Sequence, residues 1–311
     1  MNRRDFLTTS IGVAVAGSVP LGALAQDRRK AVAPNSGAAP GIVDTNVNLF
    51  DWPFRRLKYR EPSALVGKLQ KHGIVHAWAG NFEALLSKNV DGVNSRLAEE
   101  CRKQPRGFLV PMGTVVPAWP DWEEDLRRCH EVYKMPGIRL YPGYQGYGAD
   151  HENFVPLLKA AGDRGLLVQI AMGMEDSRVH HPITTVRNVH APTLTAALKQ
   201  APKTRVQLLY AGGDAVSPPS RAALIAQTNV LFDISRFESV GVLWHMLGGG
   251  EQGGDGGFES SRLPLDRILF GSHAPYFPLE TALLKLFESP LTLPQMEAIM
   301  EGNARRILKT T

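Results

Sequence analysis

The chain has 311 residues, of which 43% are hydrophobic and 21% charged, and a formal net charge of +5. This balance excludes a disordered or fibrous chain and suits one large α/β domain. The basic residues are scattered rather than arranged in a stripe, which argues against nucleic acid as a partner.

Residues 1–25 read as an address. Arg3 and Arg4 are followed by Asp5, Phe6 and Leu7, then by a mild apolar run from Ile11 that ends in Ala23-Leu24-Ala25. Paired arginines, a weak apolar stretch broken by Pro20 and a small-x-small ending are the pattern of a twin-arginine signal, with cleavage before Gln26. A membrane span needs about 20 strongly apolar residues, so the expected mature form is exported, periplasmic and without a span. The twin-arginine export machinery is then its first partner. Residues 26–40 cluster Arg28, Arg29 and Lys30 ahead of Ala, Pro, Asn, Ser and Gly, and read as a flexible linker.

From Gly41 to Thr311 short β-rich runs alternate with amphipathic segments. The runs are Ile42–Leu49, Ile74–Ala79, Gly107–Val115, Gly137–Tyr141, Leu166–Ala171, Arg205–Tyr210, Val230–Ser235 and Arg267–Gly271. Helix starts are legible between them: Asp121 with Glu124 suggests a capping box, and Ser217 before Pro218 an N-cap followed by proline. Parallel strands need crossover helices, and eight such units in about 250 residues predict a single-domain (β/α)8, or TIM, barrel. An open doubly wound sheet is disfavoured because no dinucleotide fingerprint follows the first strand. The glycine-rich stretch from Gly248 to Gly257 lacks the ending of a phosphate loop and reads as an insertion before the eighth strand. Cys101 and Cys129 fall in predicted helices, where packing cysteines are favoured over a disulfide.

Function in such a barrel gathers at the carboxyl ends of the strands. On the first strand, alternation places Asp44, Asn46 and Asn48 on one face and Val43, Thr45 and Val47 on the other. Further along, the same end carries Arg139 and Tyr141 after strand four, Gln169 on strand five, Asp233 after strand seven and His273 after strand eight. The loop after strand five is dense in titratable groups, from Glu175 to His181. A salt-bridge cluster explains most of it, but His181 is a candidate acid or base. Arg139 lies on a buried strand, where a guanidinium needs a protein carboxylate or an anionic ligand.

Three segments carry a resemblance. Ile42-Val43-Asp44-Thr45-Asn46-Val47-Asn48-Leu49-Phe50, the last strand Arg267 to Pro275, and Gly302-Asn303-Ala304-Arg305-Arg306-Ile307-Leu308 resemble the opening strand, final strand and closing helix of amidohydrolase-related proteins. The resemblance implies a metal-dependent-hydrolase type of barrel. Carried over by position, two histidines of the family fall on Asn46 and Asn48, its final-strand aspartate falls on His273, a fifth-strand histidine falls on Gln169, and the sixth strand offers Tyr210 or Ala211. Amides are poor zinc ligands, so zinc or another divalent metal is disfavoured and no cofactor is expected.

Two functions follow. The first is a hydrolase, or less readily a decarboxylase, acting on a small carboxylated or lactone-like substrate. In it His273, His181 and Asp233 are catalytic candidates, and Asn46, Asn48, Arg139, Tyr141 and Gln169 bind substrate. The second is a non-catalytic ligand-binding barrel that has lost its metal, and a divergent metal-dependent hydrolase or decarboxylase remains a further alternative. The last helices, with Leu293, Met296, Ile299 and Met300, cover either the barrel or a partner subunit in a homo-oligomer; covering the barrel is the favoured reading.

Overall fold

A computed structural model describes residues 41–308, except 106, 214, 240 and 250–261. The signal and linker assigned to residues 1–40, and most of the glycine-rich insertion, lie outside the described residues.

Eight strands, β1 (Ile42–Leu49), β2 (Ile74–Asn81), β3 (Leu109–Gly113), β4 (Gly137–Leu140), β5 (Leu167–Ala171), β6 (Arg205–Leu209), β7 (Leu231–Asp233) and β8 (Ile268–Leu269), lie side by side in chain order, each neighbouring pair parallel. Backbone bonds join the last strand to the first: Thr45 N donates to Phe270 O at 2.9 Å, His273 N to Asn46 O at 2.8 Å and Asn48 N to Ala274 O at 2.9 Å. The molecule is therefore a (β/α)8 barrel, as the alternation predicts. Helices α1 (Pro62–Lys71), α2 (Val90–Lys103) and α3 (Trp122–Arg127) follow β1, β2 and β3. Next come α4 (Pro142–Gln145) and α5 (Phe154–Asp163) after β4, α6 (Ala191–Lys199) after β5 and α7 (Pro218–Gln227) after β6. Finally α8 (Val242–Met246) follows β7, and α9 (Leu279–Phe287), α10 (Leu293–Glu297) and α11 (Asn303–Ile307) follow β8.

Helix starts are set by local chemistry. Ser217 caps α7 by accepting from Ser220 N at 3.4 Å. Asp121 precedes α3 but makes no cap bond, so the expected box is not formed there; its φ of −97° and ψ of 21° depart from the extended backbone that usually turns a cap side chain onto the first turn. A true capping box starts α10, where Thr292 and Gln295 satisfy each other's backbone.

Strand alternation divides the core in two. Outward residues such as Ile138, Leu140, Val168, Ile170, Val206 and Leu208 are buried beneath the helices. Each such side chain contributes about 1.5–3 kcal/mol by leaving water. Inward residues at the amino ends, Val43, Trp78, Met112, Leu167, Leu231 and Leu269, form a separate apolar plug that Ala304 and Leu308 close from below. Of the closing helices, Ile299 and Met300 are buried against the barrel while Leu293 stays exposed. Cys101 and Cys129 are both buried and free, and Cys129 Sγ accepts from Asn94 Nδ2 at 3.3 Å. No helix among the described residues is long and apolar enough to cross a membrane.

Candidate functional site

Above the apolar plug the barrel interior turns polar. Gln207 Nε2 donates to Thr45 Oγ1 at 2.7 Å, and Gln169 Nε2 donates to Gln207 Oε1 at 2.7 Å and to Thr45 O at 2.8 Å. This amide layer is fully buried, and pairing its donors and acceptors offsets the cost of keeping them from water.

Arg139 rests on that layer. Its Nε donates to Gln169 Oε1 at 2.8 Å, Nη1 to Val47 O and Asn48 Oδ1 at 2.9 Å each and to Asn46 Oδ1 at 3.5 Å, and Nη2 to Trp78 O at 3.1 Å. All of these partners are neutral oxygens. The guanidinium is wholly buried, yet no carboxylate pairs with it among the described residues. Gly80 on β2 makes room for it: a Cβ there would come within 2.6 Å of both Arg139 Nη1 and the Tyr141 hydroxyl.

Next along the interior, Asn46 Nδ2 donates to Asp233 Oδ2 at 2.6 Å, and Tyr210 OH donates to Asn46 Oδ1 at 2.8 Å. Asn48 Nδ2 donates to Tyr210 OH at 3.2 Å, and Tyr141 OH donates to Asn48 Oδ1 at 3.4 Å. Asp233 Oδ1 accepts from Tyr210 N at 2.9 Å. Burial pushes the Asp233 carboxyl up from its usual pKa, against the hydrogen bonds it accepts. Gly271 leaves the space Asp233 needs, since a Cβ there would lie 2.8 Å from its Cβ and Oδ2.

His273 lies beside Asn48. Its Nε2 is 3.0 Å from Met174 O and its Nδ1 is 3.5 Å from Asn48 Nδ2. A carbonyl can only accept and an amide nitrogen can only donate, so the neutral tautomer protonated on Nε2 satisfies both contacts and leaves the Nδ1 lone pair toward Asn48. Burial holds the imidazole well below its usual pKa, and the charges of Arg139, Arg236 and Arg55 act in the same direction. Tyr210 and His273 both have left-handed backbone, at φ 60° and 61°. For side chains of this size that conformation is strained, and it persists here because the surrounding bonds hold it.

An aromatic cap closes the mouth. Trp52 meets Phe54, Phe82, Tyr144 and Tyr276 edge-on, with ring centroids 4.9–5.9 Å apart. Tyr276 stacks on His273 at 4.7 Å, and the Arg55 guanidinium lies 4.5 Å from the centre of the Tyr276 ring. Glu175 is buried within this cap and accepts from Tyr144 OH at 2.6 Å and Tyr276 OH at 2.9 Å.

The structure brings Asn46, Asn48, Arg139, Tyr141, Gln169, Asp233 and His273 into one network. It leaves His181 outside: that imidazole is exposed and stacks on Phe54 at 5.3 Å. Asp176 and Arg178 in the same loop form the expected ion pair at 2.6 Å. Asp44 departs from the expected face. The pairing of β1 with β2 shifts register between Asp44 and Val47, and this irregularity changes which side chains face inward. Val43 and Thr45 thus join the interior, whereas Asp44 accepts from Ser272 Oγ at 2.5 Å, Ser272 N at 3.0 Å and Asn46 N at 3.1 Å. Burial raises the Asp44 carboxyl to about 7. Sequence reasoning also missed Gly80, Glu175, Trp52 and Tyr276 as parts of the site. Only the aromatics Phe50, Trp52 and Phe54 at alternate positions, and the pair Tyr276-Phe277, hinted at the cap.

The residues present do not fit a divalent metal. Among the described residues no three His, Cys, Asp or Glu side chains are grouped to hold one. The amide oxygens of Asn46 and Asn48 already face the Arg139 guanidinium, a fixed positive charge that would repel a cation sharing them.

A family model described as amidohydrolase matches residues 43–240. No curated protein matches the chain. Among solved structures, a 2,6-dihydroxybenzoate decarboxylase from Rhizobium is 14% identical, covers 87% of this chain and 99% of its own, and superposes with a TM-score of 0.65. A 5-carboxyvanillate decarboxylase from Sphingomonas paucimobilis is 12% identical over 88% of this chain and 100% of its own, at 0.62. A dihydroxybenzoic acid decarboxylase from Polaromonas sp. JS666, with bound manganese and the inhibitor 2-nitroresorcinol, is 12% identical over 87% and 97%, at 0.61. At these identities the likeness is one of fold.

Proposed function

This chain belongs to the amidohydrolase family and is a hydrolase-like enzyme, and on that premise we propose that it acts on a small carboxylated or lactone-like substrate, without a divalent metal, after export from the cytoplasm. The observation that carries the reading is the Arg139 guanidinium, buried among neutral oxygens with no carboxylate among the described residues to balance it. A substrate anion that displaces the Asn48 amide supplies the missing countercharge. The carboxylated compounds named for the Rhizobium and Sphingomonas decarboxylases are of the same charge class. The manganese of the Polaromonas structure argues the other way on metal, and for that reason metal enters the test.

In this reading the Nδ1 lone pair of His273 accepts a proton from water as the water oxygen bonds to the substrate carbonyl. Arg139 holds the substrate carboxylate, and Asn48 Nδ2 donates to the carbonyl oxygen as it gains charge. When the intermediate collapses, the carbon–oxygen or carbon–nitrogen bond breaks and the leaving group takes the proton back from His273. The low pKa of His273 keeps Nδ1 free of protons at neutral pH, at the expense of basicity. Asp233 positions Asn46 and the Tyr210 backbone without touching substrate. His181, on Phe54, belongs to the cap through which substrate enters.

The test is a panel of lactones, aromatic carboxylates and amides, assayed with and without added divalent ions, for the wild type and His273→Gln. Turnover that is independent of added metal and falls about a hundredfold or more in a folded variant supports the reading. Unchanged turnover removes His273 from the mechanism, and tight ligand binding without any turnover replaces the enzyme with a binding barrel. Export is tested separately by N-terminal sequencing of the periplasmic form, with Gln26 the expected first residue.

A further inference from the structure

At the amino ends of β3 to β6, on the face opposite the polar centre, a cleft of about 660 Å³ opens. Its size lies within the range of small-ligand sites. Four cationic side chains, Lys134, Arg164, Arg205 and Arg306, line it together with His130. None of its lining residues is acidic.

Concentration in one cleft, rather than the lack of an ion pair alone, sets these cations apart, since Arg267 elsewhere on the surface also bonds only neutral oxygens. Arg60, Arg96, Arg127, Arg128 and Arg305 each form an ion pair with a carboxylate. Among the described residues the cleft cations have no such partner, and the bonds of their guanidinium groups run to neutral oxygens. Arg164 Nη1 donates to Ala160 O at 3.0 Å, and Arg306 Nη2 to Asp266 O at 2.9 Å and Asn303 Oδ1 at 3.0 Å. Arg205 bridges Ile307 O and Gly165 O, which fixes its guanidinium between the last helix and the start of β5. Gathering unpaired cations in a concave site is unfavourable by mutual repulsion and focuses a positive potential there. The lining also includes the apolar Val110, Leu166 and Leu308.

We propose that this cleft binds a small organic anion carrying at least two phosphate or carboxylate groups, its charged groups on Arg164, Arg306 and Lys134 and its carbon skeleton against Leu166 and Leu308. Arg205 is a fixed donor on the cleft rim. The site is separate from the polar centre and does not depend on the activity assigned there.

The test is isothermal titration calorimetry of the full mature chain with tripolyphosphate and, in a second arm, citrate, at low and physiological salt. Lys134 is exposed and Arg164 half-buried, and neither pairs with a carboxylate, so the double variant Lys134→Gln/Arg164→Gln is expected to stay folded by circular dichroism. One-site binding that weakens with salt, and by about tenfold or more in the double variant, is the expected result. Arg96→Gln, on another face, is expected to bind as the wild type does. The arm that binds tighter names the anion. Absence of binding in both arms, or equal loss in the cleft variant and in Arg96→Gln, overturns the proposal and assigns the charge to general basicity.

Discussion

The two ends of the barrel interior are built by the same strands and the same alternation, yet they meet the cost of burial in different ways. At the amino end, Val43, Trp78, Met112, Leu167, Leu231 and Leu269 fill the bore with apolar volume. At the carboxyl end, Arg139, Asn46, Asn48, Tyr210, Asp233 and His273 fill it with hydrogen bonds around one unbalanced positive charge. The lower layer is held by apolar burial alone, whereas removing a polar partner from the upper one leaves a buried group unsatisfied. A site for an anion can be built from the second kind of packing and not from the first.

Substitutions that remove the charge sharpen this contrast most. Arg139→Met leaves Gln169, Asn48, Val47 and Trp78 oxygens without their donor. The unpaired acceptors are expected to cost about 1–3 kcal/mol in denaturant unfolding, partly offset by the loss of an unbalanced buried charge, and turnover is expected to be abolished. Leu167→Ala, in the lower plug, is expected to cost about 2–5 kcal/mol through the cavity it leaves, while turnover per folded molecule stays the same. Equal loss of activity from both would erase the distinction between the layers.

Gly80→Ala adds only a methyl group, but aims it at Arg139 and Tyr141. An expected loss of about 1–3 kcal/mol, with a larger drop in turnover than Leu167→Ala causes, would show that the guanidinium position matters as well as its presence.

The smallest effect on turnover is expected from Asp44, just outside the polar centre, whose influence is on the pH dependence of stability. Its pKa rises from 3.8 to about 7 on folding because burial penalises the charged form. The folded state therefore holds the proton more tightly than the unfolded chain. The stability this group contributes is full below about pH 4 and is lost as pH rises through about 7. Asp44→Asn keeps the bonds to Ser272 and Asn46 in the protonated pattern, so urea titrations between pH 5 and 8 should show a flatter profile. His273 acts in the opposite sense: its pKa is depressed on folding, so the stability it contributes is present above about 6.5 and is lost as pH falls below that value.

How much of this was legible in the sequence depended on whether a residue's place follows from strand period. The eight strands and their parallel order follow from apolar runs separated by helices, and the structure moves most boundaries by only a residue or two. Asn46, Arg139, Gln169, Asp233 and His273 converge because strand ends in a closed barrel must converge. Asp44 was misplaced because the register shift in β1 leaves no mark in composition. Tyr210 turns inward through left-handed backbone, which no local pattern at a tyrosine announces. Glu175 and Trp52 come from loops, whose paths are set by the cap they pack into rather than by any period.

We propose that a guanidinium stands where a divalent cation would otherwise supply the positive charge. Metal analysis of the purified, folded protein, prepared without chelators and then exposed to zinc and manganese, tests it directly. Metal far below one per chain and no rise in melting temperature is the expected result. One tightly held ion per chain, lost in Asn48→Ala, would contradict it.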